Sequence, residues 1–516
     1  MMKYKKFFRI MLLMALVASV SSLTPSVFLL VWEQQGVLLS WQRIVFLILA
    51  IAGSKCLTIC MTVFRERYAK TFNERNFCSM LKSALGMDYD SLLTMGTANL
   101  LDRISGAVNA IYFYMTGDHI LLWASVVTIS GCLLLTGIIN PWLALFLFAM
   151  LPVNYFGYRM LNEELSVRSR ELSEKTSEGF QEILSYVQQV DYIKQSSNFD
   201  ALFDKLSPAI DKLYRTMAHV NVYAQSASAG LRGMNEVVQN LILMVIVYKF
   251  FSNALGPYML IMTSIILPTY FSNLGTIVGV KVNQSSFCVA LDFQKDLQAR
   301  QEGDGTKVLS EITEIRCETS ELEIQESRIH FVAKCILRKG DIVQICGPSG
   351  CGKSSFAKAL LKFRHLSGIW INEIPISELQ NNSLRNRIEY LSQNVPIVKG
   401  TLRDNLFLNS RYSKEAENRF LSEPILQSIF ASKSMDTLIL DGGSNLSSGE
   451  KQKIALARAL SQNTDVLILD EVCSNIDQEA ADSIYACLKR QRAQRITIVI
   501  SHDSLPDGFV NTYINQ

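Results

Sequence analysis

Six apolar stretches, each close to the length an α-helix needs to cross a bilayer, fall within the first 280 residues of this 516-residue chain. A hydrocarbon core about 30 Å thick takes roughly 20 residues of helix, and lipid offers the backbone no hydrogen-bond partners, so the helix must satisfy its own. The stretches lie near 8–32, 43–64, 119–139, 141–160, 235–252 and 257–280. Composition agrees: 49% of residues are hydrophobic and mean hydropathy is +0.18, high for a chain wholly in water. A formal net charge of +3 is too balanced for a nucleic-acid surface, so no nucleic-acid partner is expected. The eleven cysteines show no C-x-x-C spacing, and the one close pair, Cys56 and Cys60, falls inside an apolar stretch. That usage is reduced and cytosol-facing, not a disulfide framework or a zinc site.

Charge orients the stretches. Lys3, Lys5, Lys6 and Arg9 precede the first, and Arg65, Arg67, Lys70, Arg75, Lys82 and Arg103 crowd the loop after the second. Basic loops favour the cytoplasmic side, which predicts a multi-pass protein of the cell membrane with a cytoplasmic N-terminus. A cleaved signal peptide also begins with basic residues, an apolar run and small residues such as ASVSS, but here the apolar sequence continues to Trp32. The two long loops, about 65–118 and 161–234, are polar and helix-prone; apolar residues at helical spacing in Asn73–Leu93 and Ser169–Gln195 predict cytoplasmic extensions of the membrane helices. The expected division is a membrane domain over 1–295, a polar linker over 296–311 containing Gly303 and Gly305, and a second domain over 312–516 whose motifs follow. Lys55, within the second stretch, is a candidate for cargo contact, for pairing with a neighbouring helix or for snorkelling, and Tyr112, Phe113 and Tyr114 for cavity lining or packing.

From about residue 312 short β-branched segments alternate with helices, the pattern of a parallel α/β sheet. CGPSGCGKSS, residues 346–355, follows the strand-like DIVQICG and opens a helix. Gly347, Gly352, Lys353 and Ser354 therefore meet G-x-x-x-x-G-K-[ST] in the context it requires. Glycines let backbone N–H groups turn toward phosphate oxygens, Lys353 reaches the outer phosphates, and Ser354 supplies a hydroxyl to Mg²⁺. The whole loop, including Pro348, Ser349, Gly350, Cys351 and Ser355, is expected to line the nucleotide. Asp470 and Glu471 close the apolar strand TDVLILDEV; Asp470 is expected in the Mg²⁺ shell and Glu471 at the attacking water. Ser447, Ser448 and Gly449 open another helix with small residues, a second anion-binding start without a phosphate of its own.

With these motifs in order, the chain resembles the ATP-binding cassette exporters that fuse six spans to one cassette. The resemblance covers nearly the whole chain. LSSGE, 446–450, is similar to the family signature usually written LSGGQ, which closes on the γ-phosphate held by the opposite cassette. The resemblance implies that Gln393, in LSQN, senses Mg²⁺, that Asp477, in SNID, lies at the dimer seam, and that His502, in VISHD, contacts the γ-phosphate and water. It also implies a coupling helix near Asp88 to Leu93. Ser448 and Glu450 depart from the usual glycine and glutamine. No aromatic residue stands in TSELEIQES, 319–327, where the family stacks adenine, Leu322 and Ile324 being nearest.

The fold class expected is thus multi-domain: an all-α six-helix transmembrane domain with long cytoplasmic helical extensions, plus an α/β P-loop ATPase domain. The function implied is ATP- and Mg²⁺-dependent export of an amphipathic or hydrophobic molecule by alternating access. The partner is a second half-transporter, identical or related, in membrane lipid. An importer of exporter shape and a mechanical ATPase that moves no cargo share the same motifs, whereas a P-loop kinase or small GTPase would need neither the signature nor six spans.

Overall fold

In the computed structural model every residue is described except 1–3, 38–39, 188–189, 196–198, 253–255, 319, 325–326, 332–333, 349, 409, 473–477, 491, 502–509 and 514–516. The chain forms two units: Met1–Met87 with Met95–Gln301, and Asp88–Thr94 with Glu302–Gln516.

Helices build the first unit: α1 (Tyr4–Gln34), α2 (Trp41–Leu85), α3 (Tyr89–Met95, mostly in the second unit), α4 (Thr97–Phe113), α5 (His119–Ile139), α6 (Pro141–Val187), α7 (Val190–Gln195), α8 (Phe199–Phe251) and α9 (Pro257–Ala299). Among the described residues six helical runs are long and apolar enough to cross a membrane: Tyr4–Gln34, Trp41–Leu85, Asn99–Ile139, Pro141–Leu165, Phe199–Phe251 and Pro257–Ala299. They fall on the six apolar stretches. At 1.5 Å per residue, the 45 residues of α2 span about 70 Å, more than twice the hydrocarbon thickness. The third run begins well before residue 119. α4 and α5 are joined by one π-helical turn, Tyr114–Asp118, so the residues before 119 are helix and not connecting loop. Such a turn loosens the helical hydrogen-bond ladder, and the Tyr4 hydroxyl donates to the Met115 carbonyl there (3.1 Å). Of the cavity candidates, Tyr112 is buried and donates to Glu66 (2.8 Å), and Tyr114 stacks on Phe287 with centroids 4.4 Å apart. Both therefore pack, and Lys55 is exposed on α2.

Leu29, Leu147, Met262, Ile266, Leu267 and Tyr270 form the fully buried centre of this unit. Tyr270 brings a polar tip into it and satisfies that tip by donating to the Leu147 carbonyl (2.7 Å). Asn235 on α8 donates to Asn154 on α6 (2.8 Å), a polar clasp between helices where hydrophobic attraction is weak.

The second unit is α/β. Five parallel strands run in the order Val510–Tyr513, Ile342–Cys346, Ile496–Ile500, Val466–Asp470, Ile388–Leu391. Val466–Asp470 and Ile496–Ile500 are buried at every position, as strands covered on both faces must be. Beside this sheet stands an antiparallel one, Cys335–Arg338, Glu314–Cys317, Ile369–Ile371 and Ile374–Pro375, which the sequence pattern does not distinguish from the parallel sheet. Phe356, Leu360, Ile371, Leu384, Ile468 and Ile498 fill the space between. Parallel order places the ends of Ile342–Cys346, Ile388–Leu391 and Val466–Asp470 along one edge, and the polar cluster described next sits there.

Candidate active site

After Cys346 the chain must leave a buried strand and enter the Lys353–Leu360 helix within six residues. Gly350 and Gly352 make the turn at φ +84° and +93°, a region where a Cβ would meet the following carbonyl. Gly352 is the N-cap, so the first helical N–H groups point into the loop. Lys353 is buried, and its Nζ donates to the carbonyls of Gly347 (2.8 Å) and Pro348 (3.1 Å), which holds the ammonium across the loop it belongs to. Cys351, in the same loop, is buried as well.

Asp470 ends its strand only 3% exposed. Ser354 Oγ donates to its Oδ1 (3.1 Å) and Tyr390 Oη to its Oδ2 (3.0 Å). Each carboxylate oxygen thus keeps a lone pair for a further partner. Burial, with Asp470 close by, pushes the Tyr390 phenol far above its usual range, so it stays a donor. Glu471 follows at φ +54°, rare for a non-glycine residue and typical of functional positions, with its N–H on the Ile500 carbonyl (2.9 Å). Gln393 Nε2 donates to Glu471 Oε2 (3.2 Å). Ser354, Gln393, Asp470 and Glu471 therefore meet at one sheet edge. Their hydroxyl, amide and carboxylate oxygens are hard donors of the kind Mg²⁺ takes, with phosphates completing its shell. Among the described residues no group of three His, Cys, Asp or Glu could hold a metal without such help.

The second helix start is built differently. Ser447 is the N-cap of Ser448–Ser461 and makes a capping box: Glu450 N donates to Ser447 Oγ (3.2 Å), and Ser447 N to the Glu450 carboxylate (2.9 Å). Ser447 and Ser448 are exposed, and among the described residues the hydrogen bonds of Ser447 stay within its own helix. Among the described residues no hydrogen bond joins Ser447, Ser448 or Gly449 to the Lys353 loop of the same chain. Ser349, Asp477 and His502 lie outside the described residues, and Leu322 and Ile324 lie on the Ser320–Ile324 strand, paired with Ser327–Phe331.

Two participants escape the motif reading. Tyr390 had one available signal, its place two residues before Ser392 at the end of a strand running beside Val466–Asp470. Arg458, on the Ser448–Ser461 helix and 2% exposed, donates to the carbonyls of Pro396 (3.3 Å) and Asn405 (3.2 Å), tying that helix to the loop after Gln393. The segment Asp88–Thr94 also joins this unit. Tyr89 stacks on Phe363 (5.2 Å, 8°), Lys358 lies 5.5 Å from the Tyr89 ring centroid, and Asp90 pairs with Arg364 (3.5 Å). Lys358 stands on the helix that begins at Lys353.

Residues 333–474 match a family model described as "ABC transporter". The chain is 35% identical over 214 residues to the sublancin-168-processing and transport ATP-binding protein SunT of Bacillus subtilis, covering 40% of this chain and 30% of that protein. It is 36% identical over 170 residues to an ATP-dependent lipid A-core flippase of Photorhabdus laumondii, covering 32% of this chain and 29% of that protein. The matched region spans about a third or less of the length of these curated relatives. A bacterial Atm1-family ABC exporter with ATP bound superposes with a TM-score of 0.80 at 16% identity, over 96% of this chain and 90% of that one, which shows a common fold.

Proposed function

We propose that this chain is one half of an ATP-driven exporter of the ABC transporter kind, a reading supported by the family match over residues 333–474 and by the fold shared with a known exporter. Two chains sandwich two ATP molecules, each between the Lys353 loop of one chain and Ser447, Ser448 and Gly449 of the other. The observation that carries the reading is the meeting of Ser354, Gln393, Asp470 and Glu471 at the sheet edge beside the glycine loop.

The loop N–H groups and Lys353 bind the phosphates and orient them. Ser354, Gln393 and Asp470 would hold Mg²⁺, whose chemistry there would be to neutralise phosphate charge. Glu471 accepts a proton from the attacking water, and Gln393 keeps its carboxylate aimed. His502 and Asp477 are assigned to the γ-phosphate and the seam. Closure of the sandwich pulls on Asp88–Thr94 through Tyr89 and Asp90, and because that segment continues into α2 and α4, nucleotide binding shifts the spans toward the outward-open state. This requires ATP to bind the closed pair better than the open one. The cargo is an amphipathic or hydrophobic molecule; the relatives are named for sublancin-168, lipid A-core and, in a fungal case, multidrug transport. The cassette and the N-terminus face the cytoplasm.

The test is ATP hydrolysis by the chain reconstituted in vesicles. Glu471→Gln is expected to lower hydrolysis by about 10²–10⁴-fold, as loss of a general base does, while ATP still binds and traps the closed pair. Hydrolysis at the parent rate in that variant would refute the assignment. ATP-dependent accumulation of a lipophilic dye inside inside-out vesicles separates export from import and from an ATPase that moves nothing.

A further inference from the structure

We propose that Lys433 is the charge partner that allows an acidic residue at the signature tip: its ammonium neutralises the Glu450 carboxylate, so that the exposed start of the Ser448–Ser461 helix meets a triphosphate as a donor surface. The inference rests on the two-chain sandwich above and concerns how its second half-site tolerates an added negative charge.

Glu450 is held at the tip by the capping box, its carboxylate on the Ser447 N–H (2.9 Å). Such a box favours the helix, since a carboxylate complements the partial positive charge of its N-terminus. The same carboxylate opposes an incoming phosphate and cancels the attraction the helix start would exert. Lys433 resolves the conflict. Its Nζ pairs with Glu450 Oε1, while the second carboxylate oxygen serves the capping bond. Side-chain exposure is 19% for Lys433 and 23% for Glu450, so solvent and salt screen the pair only partly. The Lys433 N–H donates to the Ile429 carbonyl (2.9 Å), which fixes the base of the side chain at the end of a short helix. Burial by itself would raise the Glu450 carboxyl, but Lys433 and the Ser447 bonds hold it below its usual range, so it is ionised at neutral pH and needs the cation. Ser447 Oγ accepts the Glu450 N–H (3.2 Å), which keeps the hydroxyl at the exposed helix start. Lys433 acts through Glu450 and is a positioning residue.

The experiment uses the full chain carrying Glu471→Gln and reads the ATP concentration that half-saturates closure, for the parent, Lys433→Ala, Glu450→Gln and the double variant. Lys433→Ala is expected to raise it about tenfold, the equivalent of about 1.4 kcal/mol, with the effect shrinking as ionic strength rises. Glu450→Gln moves it downward, and the double variant returns to within about twofold of the parent, because the charge that needed a partner is gone. With Glu471 intact, the Lys433→Ala defect lies mainly in KM. A double variant as impaired as Lys433→Ala would show that the lysine acts by packing and would overturn the proposal. So would Lys433→Ala at the parent value. Failure of the parent itself to close on ATP would overturn the sandwich reading instead.

Discussion

Residues 347–355 and 446–450 both set small residues at the start of a helix, yet they keep different company. Lys353 bonds across its own loop and Ser354 reaches Asp470, so the first start opens onto a cluster gathered from several strand ends. Ser447 bonds only within its helix among the described residues, and its capping partner Glu450 is paired with Lys433. The first is a cluster that one chain assembles; the second, on the reading proposed above, is a donor surface for an anion that another chain carries. Small residues at a helix start thus face a polar cluster in one place and a self-contained cap in the other, and the difference lies in what the surrounding fold delivers to each.

The sharpest way to break that contrast is Lys353→Ala, which should cut hydrolysis by about 10²–10³-fold, the cost of removing one preorganised charge from a phosphoryl-transfer site. Phosphate release by the purified chain measures it. Ser447→Ala should lower hydrolysis roughly tenfold while leaving ATP binding to dilute protein unchanged, since the cap contributes about 1 kcal/mol and the hydroxyl is needed only across the seam. Equilibrium binding alongside turnover checks this, and a parallel loss of binding would erase the distinction between the two starts. Tyr390→Phe removes one donor from Asp470 and should raise the Mg²⁺ concentration for half-maximal turnover about fivefold, equivalent to roughly 1 kcal/mol. The smallest effect on basal turnover, about twofold or less, is expected for Tyr89→Ala, which gives up a ring stack of about 1 kcal/mol away from the phosphates. That variant should lose stimulation of hydrolysis by cargo, and retained stimulation would remove Tyr89 from the coupling path.

Much of this was legible in one dimension. Six apolar stretches are properties of consecutive residues, and so are a glycine loop opening a helix and two acids closing a buried strand; each could be read before any contact was known. The lengths of α2 and α8 beyond the bilayer were legible only as helical spacing, and the π-helical turn at Tyr114–Asp118 was hidden, because its residues carry no pattern different from a helix that simply continues. Glu450 was visible as a departure from the family signature, but its cation was not. Lys433 stands 17 positions upstream in an unremarkable loop.

By itself, then, the sequence determined the number of membrane-length helices among the described residues, the α/β character of the second half and the strand, glycine loop and helix around 346–355, since periodicity and short motifs are local. Only the tertiary structure decided that Ser354 and Tyr390, 116 and 80 positions from Asp470, share its carboxylate, that Arg458 ties the signature helix to the loop after Gln393, and that Asp88–Thr94 packs with the nucleotide unit. These contacts follow from strand order and helix docking, which depend on how distant segments bury one another and not on the residues beside each of them.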